Sequence, residues 1–215
     1  MKKIKRIFNL LFKSGKAVFE DSNIWPILSP IGVLSYYNAL NWSCSGVMLR
    51  GSGISCDLHK SQPYEIYNEI SFFSFIGQHG DCFNRYLIRI KEMYESCNII
   101  LQCLNLIDDG SFIAINNKIT IPSRFFMKFS IESLIHHFKL FTEGFTIPKN
   151  DIYVDVEAPK WDFGVHLFSN GTNLPYRCKI KAPGFSHLQL LKYLSIGHMI
   201  ADVVTIIGTL DIVFG

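Results

Sequence analysis

Apolar residues recur at intervals of three and four positions over residues 83–104, a spacing that predicts a long amphipathic helix. Asp81 precedes the pattern and is a favourable N-cap, because its carboxylate can accept hydrogen bonds from free N–H groups of the first turn. The DDG triplet at residues 108–110 predicts the end of the helix. The charged side chains fall largely on the opposite side of the helix: Arg85, Arg89, Lys91, Glu92 and Glu95.

Three further carboxy-terminal segments have helical spacing. Residues 123–143 form one long pattern, and Gly144 follows it as a C-terminal stop. Residues 187–195 predict a short helix. Residues 199–207 predict a final apolar helix that stops at Gly208 and leaves residues 210–215 as an extended tail.

Between these helices the apolar period shortens towards two, which predicts strands at residues 152–156, 163–169 and 176–182. The Asn-Gly pair at residues 170–171 is typical of a hairpin turn, so the last two strands are expected to pair. The pattern as a whole predicts an α+β fold, mainly α, with a long-helix core and a small antiparallel sheet.

The amino-terminal region has distinct parts. Residues 1–19 predict a basic amphipathic helix, and a proline-containing connector follows it. Residues 46–53, GVMLRGSG, predict a tight, buried turn that holds the cation of Arg50. The turn fits neither the dinucleotide-binding glycine pattern nor the P-loop pattern. Residues 64–78 are aromatic and alternate weakly, which indicates an extended segment.

Hydrophobic residues make up 48% of the 215 residues, and charged residues make up 18%. No run reaches the roughly 18–20 apolar residues that a membrane-spanning helix needs. The longest apolar run, residues 203–214, contains Asp211. Such a composition indicates a subunit whose surface is covered by partners, or the codon bias of an A+T-rich genome, and both interpretations stay open.

The net charge of +3 comes from the amino terminus. Six basic residues precede the first acidic one, Glu20, and the rest of the chain has 15 basic residues against 18 acidic ones. The chain therefore lacks a nucleic-acid-binding signature. The six cysteines form no CxxC pair, which predicts buried reduced thiols and no metal site. The adjacent histidines His136 and His137 point in different directions on a helix and cannot chelate one metal together.

The order of several motifs adds information that no single motif holds. GVMLRGSG (46–53), GDCFNRY (80–86), SLIHHFKLFTEGF (133–145), VEAPK (156–160), and IIGTLDIVFG (206–215) closely resemble the 49-kDa subunit of respiratory complex I, also called NADH dehydrogenase subunit 7. The resemblance runs from about Asp21 to Gly215 and covers the carboxy-terminal half of that family. It implies half of a fold like that of the nickel–iron hydrogenase large subunit. The implied organisation is a basic segment at residues 1–20 followed by the family domain at residues 21–215.

The resemblance implies a subunit of the proton-pumping NADH:ubiquinone oxidoreductase that is not active alone. The chain would form part of the quinone-reduction chamber next to the iron–sulfur subunit, on the matrix side of the mitochondrial inner membrane. It would bind no cofactor or metal itself, since FMN, the iron–sulfur clusters and ubiquinone belong to other subunits.

Four protein partners are implied by the same resemblance. They are a separate chain carrying the amino-terminal half of the same subunit, the iron–sulfur subunit with the terminal cluster, the 30-kDa-type matrix-arm subunit, and the membrane-arm subunit at the quinone entry. A split gene is the hypothesis behind the first of these.

The matching positions carry over a small set of candidate residues. The carboxy-terminal segment lines the inner end of the quinone chamber in the family, and Asp211, Ile212 and Val213 match it. Asp211 is either a carboxylate with a shifted pKa that modulates quinone binding or a paired, capping aspartate. A structural role near the interface with the iron–sulfur subunit is expected for the remaining four: Arg50, Asp81, Arg85 and Arg89.

Four positions depart from the family pattern. Cys56 and His59 replace a tryptophan and an arginine, His79 stands where an arginine is usual, and Trp161 replaces a glycine. The family's acidic and arginine-containing tail beyond Gly215 has no counterpart here, which puts in doubt any tuning of the terminal cluster by this chain.

Three other interpretations compete with this one. A hydrogenase large subunit needs two CxxC pairs as nickel ligands, and the chain has none. A non-catalytic assembly module of complex I would keep the scaffold and tolerate these departures. The basic amino terminus would serve as a membrane-surface anchor in the third interpretation.

Overall fold

The computed structural model describes Arg6, Leu10, Lys13 and residues 28–107, 110–111, 113, 116 and 118–212. Its regular elements, in chain order, are α1 (Tyr36–Asn41), α2 (Val47–Gly51), α3 (Leu58–Ser61), α4 (Cys82–Leu106), α5 (Arg124–Phe129), α6 (Ile131–Thr142), β1 (Asn150–Ala158), β2 (Trp161–Ser169), β3 (Arg177–Lys181), α7 (Pro183–Ser195) and α8 (Ile200–Leu210). The mixture of helices with one small sheet confirms the predicted α+β class.

The chain divides into two compact units. The first consists of Met1–Leu106, Asp155–Phe163 and Lys181–Gly215, and the second consists of Ile107–Val154 and Gly164–Ile180. In the first unit, α4 packs against α2 and α8, and α8 packs against α7. Its core is an apolar cluster that includes Leu34, Met48, Leu190 and Ile206, each at most 1% exposed. Burial of this size contributes about 1.5–3 kcal/mol for each large aliphatic side chain.

Helix α4 begins where the sequence predicts. Asp81 accepts a hydrogen bond from the N–H of Asn84 at 2.8 Å, which confirms the N-cap. The charged side chains do not form a separate exposed side, because Arg85 is fully buried and Arg89 is partly buried. Met93 on the predicted apolar stripe is instead 46% exposed. Periodicity failed here because a buried arginine that finds acceptors counts as polar in any pattern. The predicted end signal at residues 108–109 lies outside the described residues.

The long helix expected over residues 123–143 is two helices. Ser130 ends α5 and starts α6 with extended backbone angles, φ −124° and ψ 122°. Its hydroxyl accepts a hydrogen bond from the N–H of Ser133, which caps α6. A serine side chain that bonds to nearby backbone groups competes in this way with the helical backbone bonds. The helix therefore breaks at Ser130 although the apolar spacing continues across it.

The carboxy-terminal boundaries also differ from the prediction. Helix α7 starts at Pro183, four residues earlier than expected, because proline suits the first helical turn. Helix α8 runs through Gly208 and ends at Leu210, and Asp211 adopts the left-handed conformation as its C-cap. The expected extended tail therefore begins no earlier than Asp211, and residues 213–215 lie outside the described residues.

The sheet has the strand order β1-β2-β3, and consecutive strands run antiparallel. The predicted pairing of the last two strands is confirmed, and β1 and β2 also form a hairpin across residues 159–160. Residues 64–78 form no strand, so their weak alternation does not correspond to a sheet. The side-chain amide of Gln102 instead bonds both backbone groups of Ser71, at 3.0 and 2.7 Å.

The second unit exposes much of its apolar surface. Helices α5 and α6 contain no buried residue. Phe129, Ile131 and Phe138 are each at least 65% exposed. No described helix combines the length and the apolar content that crossing a membrane requires. Of the predicted basic segment, only Arg6, Leu10 and Lys13 are described, and all three are exposed.

Candidate functional site

A cavity of about 780 Å³ opens in the first unit between α2, α3, α4 and the β1–β2 turn. Aromatic side chains form much of its wall, including Tyr67, Phe72 and Trp161. Charged side chains face the same space, and they include the predicted residues Arg50, Arg89 and Asp211 together with others from α4 and β1: Glu92, Glu95 and Glu157. The cavity therefore combines planar apolar surfaces with hydrogen-bonding charges.

Arg50 is held at the cavity by the short helix α2 rather than by the predicted turn. Gly46 precedes this helix with φ 57°, a conformation that favours glycine. The Arg50 guanidinium donates to Glu92 at 3.0 Å, to Glu157 at 2.9 Å and to the carbonyl of Cys56 at 3.0 Å. Burial by itself lowers the pKa of Arg50, but the two carboxylates outweigh it and raise the pKa above its usual range.

Glu92 lies between two arginines on the cavity wall. It accepts from Arg50, and the charge of Arg89 also acts on it. Burial raises the pKa of the Glu92 carboxyl, Arg50 and Arg89 oppose this effect, and Glu157 adds to it. The net result is a carboxyl group that binds its proton more tightly than an ordinary glutamate does.

Arg89 connects the cavity to the end of α8. Its guanidinium donates to the carbonyl of Thr209 at 2.6 Å and lies 5.6 Å from the ring centre of Trp161. Burial lowers its pKa, while the charges of Asp211 and Glu92 oppose that effect. A carbonyl at a helix end is a favourable acceptor for a guanidinium.

Asp211 lines the cavity and forms an ion pair with Lys160. Its carboxylate lies 3.3 Å from the ammonium of Lys160, and its side chain is 40% exposed. Ile212 packs against the apolar core cluster. Val213, the third predicted chamber residue, lies outside the described residues. The pairing favours the second of the two roles considered for Asp211, and a role towards quinone stays a prediction.

Arg85 and Asp81 lie away from this cavity. Arg85 is fully buried and donates to neutral acceptors, namely the carbonyls of Gly32 and Gly80 and the hydroxyl of Thr209. Burial lowers the pKa of its guanidinium. Asp81 caps α4 and lines a second cavity of about 570 Å³. Their expected place near an iron–sulfur subunit stays a prediction.

The deciding comparison is with protein families. The protein-family model described as the respiratory-chain NADH dehydrogenase 49 kDa subunit matches residues 1–215. The chain belongs to this family. The resemblance inferred from the motif order is thereby confirmed.

Individual members of the 49-kDa family agree with this assignment. The chain is 58% identical over 199 residues to the NADH dehydrogenase [ubiquinone] iron-sulfur protein 2 of Nephroselmis olivacea, with 92% of this chain and 50% of that protein covered. It is 60% identical, with the same coverage, to the NADH-ubiquinone oxidoreductase 49 kDa subunit of Acanthamoeba castellanii. It is 57% identical, again with the same coverage, to the NADH-ubiquinone oxidoreductase 49 kDa subunit of Reclinomonas americana. The chain thus spans about half the length of the curated relatives it matches.

Several residues of this cavity were not predicted from the sequence. The apolar spacing places Glu92 only on the charged side of the helix, although Arg85, Arg89 and Glu92 follow each other by four and three positions and so share one face of α4. Glu157 stands out in the sequence only as part of the VEAPK motif. No local signal points to its contact with Arg50, which lies 107 residues away along the chain.

Trp161 and His187 form a second group that the sequence did not reveal. Trp161 has φ 81°, a conformation that favours glycine. Its indole stacks edge-on against His187 at 4.4 Å between ring centres. His187 is fully buried and accepts from the N–H of Ser45, and its burial lowers its pKa to about 4. Among the described residues, no group of three or more His, Cys, Asp or Glu side chains is arranged to hold a metal ion.

Proposed function

We propose that this chain is a working part of complex I, the NADH:ubiquinone oxidoreductase, and that it forms one wall of the quinone-reduction chamber. Electrons pass from NADH to quinone in the assembled complex, and this chain alone has no activity. The observation that carries the proposal is the cavity shared by Arg50, Arg89 and Asp211 in a member of the 49-kDa family.

The chemistry of the cavity supports a quinone as its occupant. A quinone head group is a planar ring with two oxygen acceptors. Aromatic side chains such as Tyr67 and Trp161 offer ring-stacking surfaces, and the guanidinium of Arg89 offers donors at the same wall. A pocket that combines apolar walls with placed polar groups is typical of a small-molecule site.

The organisation and partners of the chain follow from the same proposal. Residues 21–215 form the carboxy-terminal half of a hydrogenase-large-subunit-like fold, and residues 1–20 form a separate basic segment. The chain acts together with the amino-terminal half of the family, whichever polypeptide carries it. The iron–sulfur subunit, the 30-kDa-type subunit and the membrane-arm subunit at the quinone entry surround it on the matrix side of the mitochondrial inner membrane. FMN and the iron–sulfur clusters are bound elsewhere in the complex.

Depletion of this chain tests the proposal directly. Membranes from depleted cells should lose NADH:quinone reductase activity, and the assembly that contains the chain should fall apart on native gels. Intact-mass analysis of that assembly identifies the polypeptide that carries the amino-terminal half. Unchanged quinone reduction after complete depletion would refute the function.

A non-catalytic assembly module is the second candidate function. The ion pair of Asp211 with Lys160 favours it, because a paired carboxylate at a helix end can be purely structural. Asp211→Asn discriminates between the two, with Asp151→Asn in the second unit as a matched control. A lower rate of quinone reduction per assembled complex supports the chamber role. Normal turnover in a normally assembled complex supports the scaffold.

A further inference from the structure

One guanidinium is shared by two carboxylates at the cavity wall. The Nε atom of Arg50 donates to Glu92 at 3.0 Å, and its Nη1 atom donates to Glu157 at 2.9 Å. The three residues come from α2, α4 and β1, so the cluster joins three elements of the first unit. A single positive charge balances only one carboxylate. With both carboxylates ionised, the cluster carries one uncompensated negative charge.

Burial makes that uncompensated charge unfavourable. The side chains of Arg50 and Glu157 are 6% and 9% exposed, and that of Glu92 is 31% exposed. A net charge removed from water is costly, and binding one proton removes the charge without breaking either contact to Arg50. Two carboxyl groups coupled through one cation bind that proton as a pair rather than as separate residues.

Among the residues that the structure describes, no second cation makes an ion-pair contact with Glu92 or Glu157. The charge of Arg89 acts on Glu92 without a direct contact, because its guanidinium donates to the carbonyl of Thr209 and lies beside Asp211, which pairs with Lys160. Asp57 adds a negative charge near Arg50, and its carboxylate bonds the ring of His59. Among the described residues at the cavity, the carboxylates outnumber the cations Arg50, Arg89 and Lys160. There are five carboxylates: Asp57, Glu92, Glu95, Glu157 and Asp211.

We propose that Arg50, Glu92 and Glu157 form a proton-binding site of the cavity, which holds one exchangeable proton between the two carboxylates. The proton enters and leaves through Glu92, because Glu92 is the more exposed of the two and faces the cavity. The direction of the pKa of Glu92, raised by burial and by Glu157 against the opposing effect of Arg50, agrees with this site.

The site links protonation to the charge of whatever occupies the cavity. A negative charge in the cavity favours the protonated form of Glu92, and a positive charge favours the loss of that proton. This consequence rests on the proposed function, in which a quinone in the cavity receives electrons from the neighbouring iron–sulfur subunit. The proton-binding site itself does not depend on that function.

Infrared difference spectroscopy on the purified assembly that contains this chain tests the site. A protonated carboxyl group gives a C=O band separate from the carboxylate bands, and the band shifts in heavy water. We expect such a band to persist above the pH at which an ordinary glutamate loses its proton and to disappear as the pH rises further, because the pKa of Glu92 is raised. Glu92→Gln and Glu157→Gln should each remove it, since either change leaves one carboxylate fully balanced by Arg50. The control Glu69→Gln changes an exposed glutamate and should leave the band intact.

Each outcome decides the proposal. Loss of the titrating band in both glutamine variants, with retention in the control, supports the site. Absence of the band in the wild type, or its persistence in either glutamine variant, overturns it. Amide hydrogen exchange of α2 and α4 shows whether a glutamine variant has lost its fold. If it has, Glu92→Asp is measured in its place, and the carboxyl band should then be present at a shifted position. If the band behaves as expected but depletion of the chain leaves quinone reduction intact, only the proposed function fails.

Discussion

The backbone of Gly46 lies directly against the indole ring of Trp161. A methyl group on Gly46 would overlap the Cδ1 atom of that ring. Both residues have positive φ angles, 57° for Gly46 and 81° for Trp161. The start of α2, which positions Arg50, and the start of β2, which closes the cavity, are therefore fitted to each other.

Gly46→Ala should lower the free energy of unfolding by roughly 2–6 kcal/mol, because a positive φ angle and an overpacked contact each cost about 1–3 kcal/mol. Trp161→Gly removes the ring that the new methyl group would overlap. Gly46→Ala should therefore cost less in the Trp161→Gly background than in the wild type, by most of the overpacking term. Chemical denaturation of the four proteins in a double-mutant cycle measures the coupling. Gly184→Ala is the control, since a Cβ there meets nothing within 4 Å. Additive effects of the two changes would contradict the contact.

Arg50→Ala should destabilise the protein by roughly 3–5 kcal/mol, because it leaves the buried carboxylate of Glu157 and the partly buried carboxylate of Glu92 without their cation. Arg124→Ala removes an exposed arginine at the start of α5 and should change the stability by at most about 0.5 kcal/mol. Urea denaturation followed by circular dichroism compares the two variants with the wild type. Equal, small effects would mean that the Arg50 contacts contribute little to folding.

The stability of the protein should fall as the pH drops from 6.5 to about 4 because of His187. Its pKa in the folded state is about 4, against an ordinary value of 6.5, since burial and the charges of Arg85 and Arg89 disfavour its protonated form. In this window the unfolded chain binds a proton that the folded chain does not, so stability rises with pH. The full difference is about 3 kcal/mol. His187→Asn should flatten this part of the profile in denaturation experiments at a series of pH values. A wild-type slope that survives the substitution would assign the effect to other groups.

Thiol reagents should distinguish Cys178 from the cysteines of the core. Cys178 is exposed in β3, whereas Cys44 and Cys82 are buried. Burial raises the pKa of Cys44 to about 11, against the opposing charge of Arg85, so its reactive thiolate is scarce at neutral pH. Iodoacetamide followed by peptide mass spectrometry should find Cys178 modified in the native protein and all three modified after denaturation. Native labelling of Cys44 at a rate comparable with Cys178 would show that the core opens.

Parts of the candidate site could be predicted from the sequence. The glycines around Arg50, the N-cap at Asp81 and the motif order are local or linear features, and each can be recognised without coordinates. The partners of Arg50 cannot, since Glu92 and Glu157 lie 42 and 107 residues away from it along the chain. Ion pairs at such separations leave no trace in a single sequence.

The sequence by itself determined the α+β class, the start of α4, the pairing of the last two strands and the family. These depend on periodicity, capping residues and motif order, which act over a few neighbouring residues or can be read in line. Only the tertiary structure decided that Arg85 on α4 is buried, that residues 123–143 break at Ser130, and that Asp211 ends a helix beside Lys160. The physical reason is that a charged side chain is placed by its partners. Whether Arg85 or Glu92 faces water or the interior depends on acceptors and cations that other, distant segments supply.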